Sequence, residues 1–446
     1  MNTEIRFRSM TKAASSVCLA AAAILAFSGR LEAQVRSSAP DDLLQELSVM
    51  AAMEASKTGE PQTIDDQVRI CEVPAPSFKE RARGELLRQT FERLGLRNVQ
   101  VDAAGNVRGD RPGAASRPRV VISAHLDTVF PEGTDVKVKR EGTILRGPGI
   151  GDDCRGLAVL VGIVRAMGQA NVQTTGSITF VATVGEEGLG DLKGVRVLFG
   201  VAEPDDRRSA SARGSAPGRS ADIDRFVSID GTGLGITNVG VGSIRYRVTF
   251  KGPGGHSFSA FGLPNPIGAM GRAIAKVGEF QVPSSPKTTF NVGRVGGGTS
   301  INSIPSDAWM EVDMRSPDST ALSALEARFL RAVDAATAEE NERWRMAQTV
   351  TAVKERVGYR PAAATPADSA IVRTAEAVHK ALGLPVTLNE SSTDANIPMS
   401  LGIPAITIGG GGRGLAAHSD HESFDTSDSW LGTQRALLLT IALAQN

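Results

Sequence analysis

Residues 119–130 read RVVISAHLDTVF, an apolar run that ends on a histidine, with an aspartate two positions later. A run apolar at successive rather than alternate positions is what a strand covered on both faces requires. The pattern recurs in SITFVATV (177–184), RFVSID (225–230) and IPAITIGG (403–410). Helical stretches lie between or after them, LAVLVGIVRAMGQ (157–169) and DSWLGTQRALLLTIALAQ (428–445). Strands alternating with helices predict an α/β fold built on a mixed or parallel sheet. Polar motifs gather at the C-terminal ends of these strands or in the loops just after them, the edge where open α/β sheets build their sites.

Those motifs carry the chemistry. The chain has five histidines. Two of them, His125 in AHLD and His418 in AAHSDHE, share the sequence with Asp152 and Asp153 in GIGDDCRG, Glu186 and Glu187 in GEEGLG, and Asp230 in SIDG. Two imidazoles among many carboxylates are the ligands expected of a pair of divalent metals sharing a bridging Asp, which points to hydrolysis by an activated water. Asp127, two positions past His125, is placed to accept that ring's other proton and fix its tautomer. Asp152 opens the helix that begins near Arg155, where a cap is the plainer role, but two consecutive aspartates are more than a cap requires; Asp152 is read as the bridge and Asp153 as its support. Of the two glutamates, Glu187 is read as a ligand and Glu186 as the base that takes a proton from the attacking water and passes it to the leaving nitrogen. His418 is preferred over His421. An all-nitrogen-and-oxygen set suits zinc best and accepts cobalt or manganese. Cys154 is read as packing, and His379, in the helical AVHKAL stretch, as a surface residue. GRVGGGTS (293–300) lacks the Lys-Ser/Thr of a phosphate loop.

Composition narrows the rest. At 446 residues the chain is long for one core, so two domains are expected. Lys plus Arg and Asp plus Glu both number 49, and aromatics are 4%, which argues against nucleic-acid binding. The N-terminus has a basic segment, an apolar run of about fifteen residues, too short to span a membrane, and a cleavage site after Ala33. A signal peptide over 1–33, a periplasmic or secreted protein and no stable membrane association after cleavage are therefore expected. Cys71 and Cys154 then remain, and are read as free thiols rather than a disulfide framework. Residues 201–222, rich in Ser, Ala, Arg and Pro, are read as a flexible insertion.

From about residue 243 the pattern changes. IRYRVTFKG (244–252) alternates, NPIGAMGRAIAKVGEF (265–280) is an amphipathic helix, and TTFNVGRVGGG (288–298) and DAWMEVDMRSP (307–317) read as strands. A long helix (321–344) and a last strand (346–358) follow. This predicts an inserted α+β unit at 243–357, which divides the larger domain into 34–242 and 358–446.

Taken together, HLDTV, GDDCRG, GEEGLGDLKG, SIDG, GGHSF and AHSDHE resemble the motifs of the M-twenty metallopeptidase family, in the right order over about 60–446. The resemblance implies a mixed-sheet zinc-peptidase catalytic domain with an inserted lid and dimerisation domain. It implies one metal on His125, Asp152 and Asp230, and a second on Asp152, Glu187 and His418. His256, in the lid, would reach across a homodimer to stabilise an oxyanion. Asn302 and Arg315 match positions that bind the substrate's carboxylate. Cys-Arg-Gly stands where many members carry Lys-Gly after the bridging Asp.

The expected function is a two-metal hydrolase that cleaves the amide bond next to a free terminus of a small peptide. An N-acyl amino acid deacylase is the rival within the class, and a non-catalytic binding protein on the same fold the rival outside it.

Overall fold

The computed structural model describes residues 1, 39–201 and 222–445. Apart from Met1, the expected leader lies outside the described residues, as does the expected insertion apart from its two end residues. The first of the apolar runs forms the strand Arg119–His125, buried from Val120 onward. Val120, Ile122 and Ala124 enter one hydrophobic core and Val121 another. Successive side chains of a strand point to opposite faces, and here both faces are dry, which accounts for the unbroken apolar sequence.

This strand sits in a nine-stranded sheet. The order is Arg97–Val101, Val107–Arg111, Ser177–Thr183, Arg119–His125, Arg225–Ile229, Ala405–Ile408, Ile236–Gly240 and Ala363–Ala364, with Leu388–Ser391 also paired to Ile236–Gly240. The four strands from Ser177–Thr183 to Ala405–Ile408 are parallel. Antiparallel pairs flank them, so the sheet is mixed. Helices Leu47–Thr58, Cys154–Gln169 and Trp430–Gln445 share one core with the sheet, and Lys193–Phe199 and Asn396–Ser400 share the other. In Cys154–Gln169, Leu157, Leu160 and Ile163 are fully buried, each contributing about 2 kcal/mol relative to exposure. No helix among the described residues is long and apolar enough to cross a membrane.

A four-stranded antiparallel sheet forms between residues 242 and 360, in the order Thr289–Gly297, Asp307–Ser316, Gly242–Lys251 and Thr351–Arg360. Ile244, Tyr246, Val248 and Phe250 alternate with polar residues and face a core with Met310, Met314, Phe329 and Val333. Helices Pro266–Gly278 and Ser319–Trp344 complete that core. Asn265 caps the first by accepting from Ile267 N and Gly268 N, and Asp318 caps the second by accepting from Ala321 N. The fold is thus a mixed α/β domain carrying an inserted α+β unit.

A second four-stranded sheet had no sequence signal. Its strands are Lys139–Glu141, Ile144–Arg146, Ser423–Asp425 and Arg413–Leu415. Phe424, fully buried, packs with Leu145, Ile150 and Cys154 beneath it. The short hairpin joining Arg413–Leu415 to Ser423–Asp425 contains His418, and the loop leaving Ile144–Arg146 leads to Asp152.

Candidate active site

Three of the parallel strands deliver their next residues to one edge. His125 ends its strand opposite Thr183, and Asp230 follows Ile229, its N–H donating to Ile408 O of the neighbouring strand. Glu186 and Glu187 lie just past Thr183. Asp152 and His418 arrive from the small sheet beside that edge. Asp153 is the helix cap: its Oδ1 accepts from Gly156 N at 3.0 Å and its Oδ2 from His125 N at 3.0 Å. Asp152, relieved of capping, faces the histidines.

The geometry around Asp152 is two-sided. Its Oδ1 lies 2.9 Å from His125 Nε2 and its Oδ2 lies 3.0 Å from His418 Nε2. His418 Nε2 is also 3.0 Å from Glu187 Oε1, and His125 Nε2 is 4.0 Å from Asp230 Oδ1. Ligand-type atoms of His125, Asp152 and Asp230 lie within 4.8 Å of one another, as do those of Asp152, Glu187 and His418. A third such group joins His125, Glu186 and Glu187. His418 holds a left-handed backbone (φ 64°), uncommon for a non-glycine residue, and its half-exposed ring meets Asp152 and Glu187.

So dense a set of acids draws positive charge. Burial would raise the Asp152 carboxyl, but His125 and His418 hold it well below the usual range. Burial, then the charge of Asp152, pushes Asp230 up to about 7. Hydrogen bonds to Asp152 and Glu187 raise His418 to about 10. A field that holds protons on imidazoles can equally be neutralised by divalent cations, whose binding displaces those protons. The donor set fits such ions: imidazole nitrogens and carboxylate oxygens, with Asp152 presenting a separate oxygen to each side.

The supporting groups do more than the sequence reading gave them. Asp127 is fully buried. His125 Nδ1 lies 3.1 Å from the main-chain carbonyl of Asp127 and 3.5 Å from its carboxylate, so the carbonyl is the nearer acceptor. The carboxylate also accepts from Glu186 N, Glu187 N and Ser77 Oγ at 2.7–2.9 Å. Three supports gave no sequence signal. Glu422 accepts from the N–H groups of Gly149, Gly151 and Asp152, holding the Asp152 loop from 270 or more residues away. Asp394, buried, accepts from Thr183 Oγ1 at 2.6 Å, and burial lifts its pKa to about 6. Arg360, also buried, donates to Glu186 Oε1 at 2.9 Å. An acid in a TDAN or HES string has no local mark of such duty.

Not every predicted residue joins the cluster. His256 is exposed on the smaller unit, its Nδ1 accepting from Phe258 N and Ser259 N. Asn302 accepts from Ser300 Oγ, and Arg315 pairs with Asp313 at 2.7 Å. Among the described residues, none of the three contacts the carboxylate cluster. His421 is exposed and lies outside the metal-type groups. His379 is a correction: it is fully buried, not a surface residue. Cys71 and Cys154 are free and buried. Arg155, the departure from Lys-Gly, is a buried structural residue whose guanidinium donates to Gly410 O and Ser429 O.

Residues 121–443 match the sequence model of Peptidase family M20/M25/M40. The uncharacterised protein YqjE of Bacillus subtilis is 24% identical over 368 residues, 78% of this chain and 90% of its own length. Aminopeptidase PepT of Bacillus cereus superposes with a TM-score of 0.64 at 20% identity, over 86% of this chain and 98% of its own. The Bacillus subtilis YXEP protein, described as a dinuclear metal-binding peptidase, gives a TM-score of 0.60 at 17% identity, over 87% and 99%. With its matched motifs gathered at one sheet edge, the chain belongs to Peptidase family M20/M25/M40 and is a hydrolase of C–N bonds.

Proposed function

We propose that the protein is a two-metal peptidase that cleaves the amide bond next to a free terminus of small peptides. The observation that carries this reading is Asp152, whose two carboxylate oxygens face different histidines at 2.9 and 3.0 Å. His125, Asp152 and Asp230 would hold one ion, and Asp152, Glu187 and His418 the other, with zinc the metal best suited to these donors. Bound there, the ions would supply Lewis acidity to the scissile carbonyl and to the attacking water.

The chain's own residues do the rest. Glu186 takes a proton from the water as its oxygen bonds to the carbonyl carbon. It returns that proton to the nitrogen as the C–N bond breaks. In the metal-free chain, burial holds the Glu186 carboxyl well above its ordinary pKa against the opposing pull of Arg360. Arg315 and Asn302 would bind a substrate carboxylate, and His256 would donate to the oxyanion from a second copy of the chain. Exposed Phe258 and Phe261, close to His256 in sequence, and exposed Ile301, two residues before the Ser303 that pairs with His256, support an apolar contact between copies. A monomeric mass with full activity would remove that part of the reading. Export with cleavage after Ala33 completes it, and N-terminal sequencing of the mature protein checks it.

The deciding experiment measures metal per chain and turnover of a panel of di- and tripeptides and N-acetyl amino acids, before and after chelation. About two ions, and peptide hydrolysis lost and restored with metal, are expected. Faster deacylation would make the protein an N-acyl amino acid deacylase, and no turnover after reconstitution would favour a binding role. Glu186→Gln with unchanged turnover would overturn the assignment of the base.

A further inference from the structure

Glu186 is held by a group 174 residues away along the chain. Arg360 donates through Nη1 to Glu186 Oε1 at 2.9 Å and through Nη2 to the main-chain carbonyl of the same residue. Nη1 also reaches Ser392 Oγ at 3.2 Å. Both side chains are almost wholly buried, 4% and 5% exposed. One planar guanidinium thus ties a side chain to its own backbone, which restricts the torsions between them. A lysine ammonium has donors enough but no rigid planar fork to fix this geometry.

The origin of Arg360 matters as much as its contacts. It is the last residue of the strand Thr351–Arg360, at the edge of the smaller sheet, paired in register with Ser243. Three residues later the chain enters the large sheet, where Ala363 pairs with Gly240. The loop that carries Glu186 is fastened to the same strand end a second time. Asp191 Oδ2 accepts from Tyr359 N at 2.9 Å, and Asp191 Oδ1 lies 3.9 Å from Arg245 Nη1 on the neighbouring strand of the smaller sheet. Arg245 also donates to Gly188 O. From Gly188 to Asp191 the loop therefore rests on the smaller sheet, while its Glu186 and Glu187 N–H groups rest on Asp127 of the larger one.

We propose that Arg360 is the positioning residue of the base, fixing the Glu186 carboxylate to its own main chain and to the end of the smaller sheet. The inference rests on the reading of Glu186 as the proton acceptor. Arg360 acts through Glu186 in this role, keeping the carboxylate where the attacking water must meet it, so its loss is felt in kcat.

The test uses the full metal-loaded chain with Arg360→Met, Arg360→Lys and Glu186→Gln, each assayed for kcat, KM and metal per chain on the best peptide of the panel. Arg360→Met is expected to keep metal content and KM and to lose about 100-fold in kcat, the scale of a misplaced catalytic group. Arg360→Lys is expected to recover about tenfold of that loss, since it restores the charge but not the two-point hold. The metal-free protein gives a second readout: amide exchange of the 185–192 segment is expected to be about tenfold faster in Arg360→Met, as a locally loosened loop requires. In a Glu186→Gln background, Arg360→Met is expected to change kcat no further. Wild-type kcat in Arg360→Met, or a loss matched by lost metal or by raised KM, overturns the proposal while an inactive Glu186→Gln leaves the base in place. An active Glu186→Gln overturns the base, and this proposal with it. Should Arg360→Met not fold, Arg360→Lys decides: kcat and loop exchange equal to wild type would refute the two-point hold.

Discussion

Asp127→Asn separates two accounts of one carboxylate. If Asp127 chiefly orients His125, the substitution weakens metal binding; if it chiefly holds the Glu186–Glu187 turn, catalysis and stability suffer first. The distances favour the second, because the three donors at 2.7–2.9 Å are nearer than the His125 ring at 3.5 Å. The asparagine oxygen can take the Oδ2 place, which receives both Ser77 Oγ and Glu187 N. Its amide NH2 then faces Glu186 N, donor against donor. Losing a hydrogen bond to a charged acceptor and leaving a buried amide unsatisfied costs about 3 kcal/mol in all. Urea unfolding of the metal-free protein reads that loss. With Glu187 still anchored, metal per chain is expected to hold while kcat falls about 100-fold through the shifted Glu186. Unchanged urea stability together with metal affinity weakened tenfold or more would refute this reasoning and return Asp127 to the histidine.

Two further substitutions probe the supports. Glu422→Gln replaces one oxygen of a carboxylate that accepts three N–H groups of the Asp152 loop. It is expected to cost about 2 kcal/mol and to weaken metal binding about tenfold, measured by calorimetric titration of the metal-free protein; wild-type affinity would exclude this role. His379, with Nδ1 at 2.7 Å from Pro385 O and Nε2 at 3.4 Å from Arg435 Nη1, is held below its ordinary pKa by burial and then by Arg435. The folded state therefore binds fewer protons than the unfolded one, so this contribution is whole above about pH 6.5 and is lost as pH falls below it, by up to about 1.4 kcal/mol per unit. His379→Gln is expected to flatten that acid slope in denaturant titrations between about pH 6.5 and 5, and an unchanged slope would contradict it.

The sequence was legible where one strand or one turn decided the outcome. Arg119–His125 declared itself because burial on both faces forbids alternation, and the smaller sheet because Ile244, Tyr246, Val248 and Phe250 face one core while the residues between them do not. Asp152 reads as the bridge because two consecutive aspartates exceed what one cap requires, but that the cap is Asp153, which accepts from Gly156 N, only the fold shows. What stayed hidden depends on contacts no local pattern encodes. The sheet that brings His418 to Asp152 is made of three-residue strands, too short for any period to emerge. Arg360 reads as one more arginine at a strand end, and only the fold sets it against Glu186. His379 reads as the polar side of a helix until Trp430–Gln445 covers it and supplies Arg435.

The topology also accounts for how a unit of more than a hundred residues can interrupt a catalytic sheet. The strand before it, Ile236–Gly240, and the strand after it, Ala363–Ala364, are hydrogen-bonded neighbours, Gly240 opposite Ala363. The inserted unit thus leaves and returns at one point, and closing a long excursion between adjacent ends costs little more than closing a short one. The larger sheet needs nothing from the insertion to complete its ladder. The residues at that junction are therefore free to serve something other than the ladder, and two of them do: Tyr359 N holds Asp191, and Arg360 holds Glu186. The chain uses its return crossing, from Arg360 to Ala363, to hold the loop that carries the base. A smaller unit attached only for bulk could have crossed anywhere along the edge. One that crosses here ties its own orientation to the proton-accepting carboxylate, so a change in the smaller unit far from the cluster should reach kcat before it reaches the ligands.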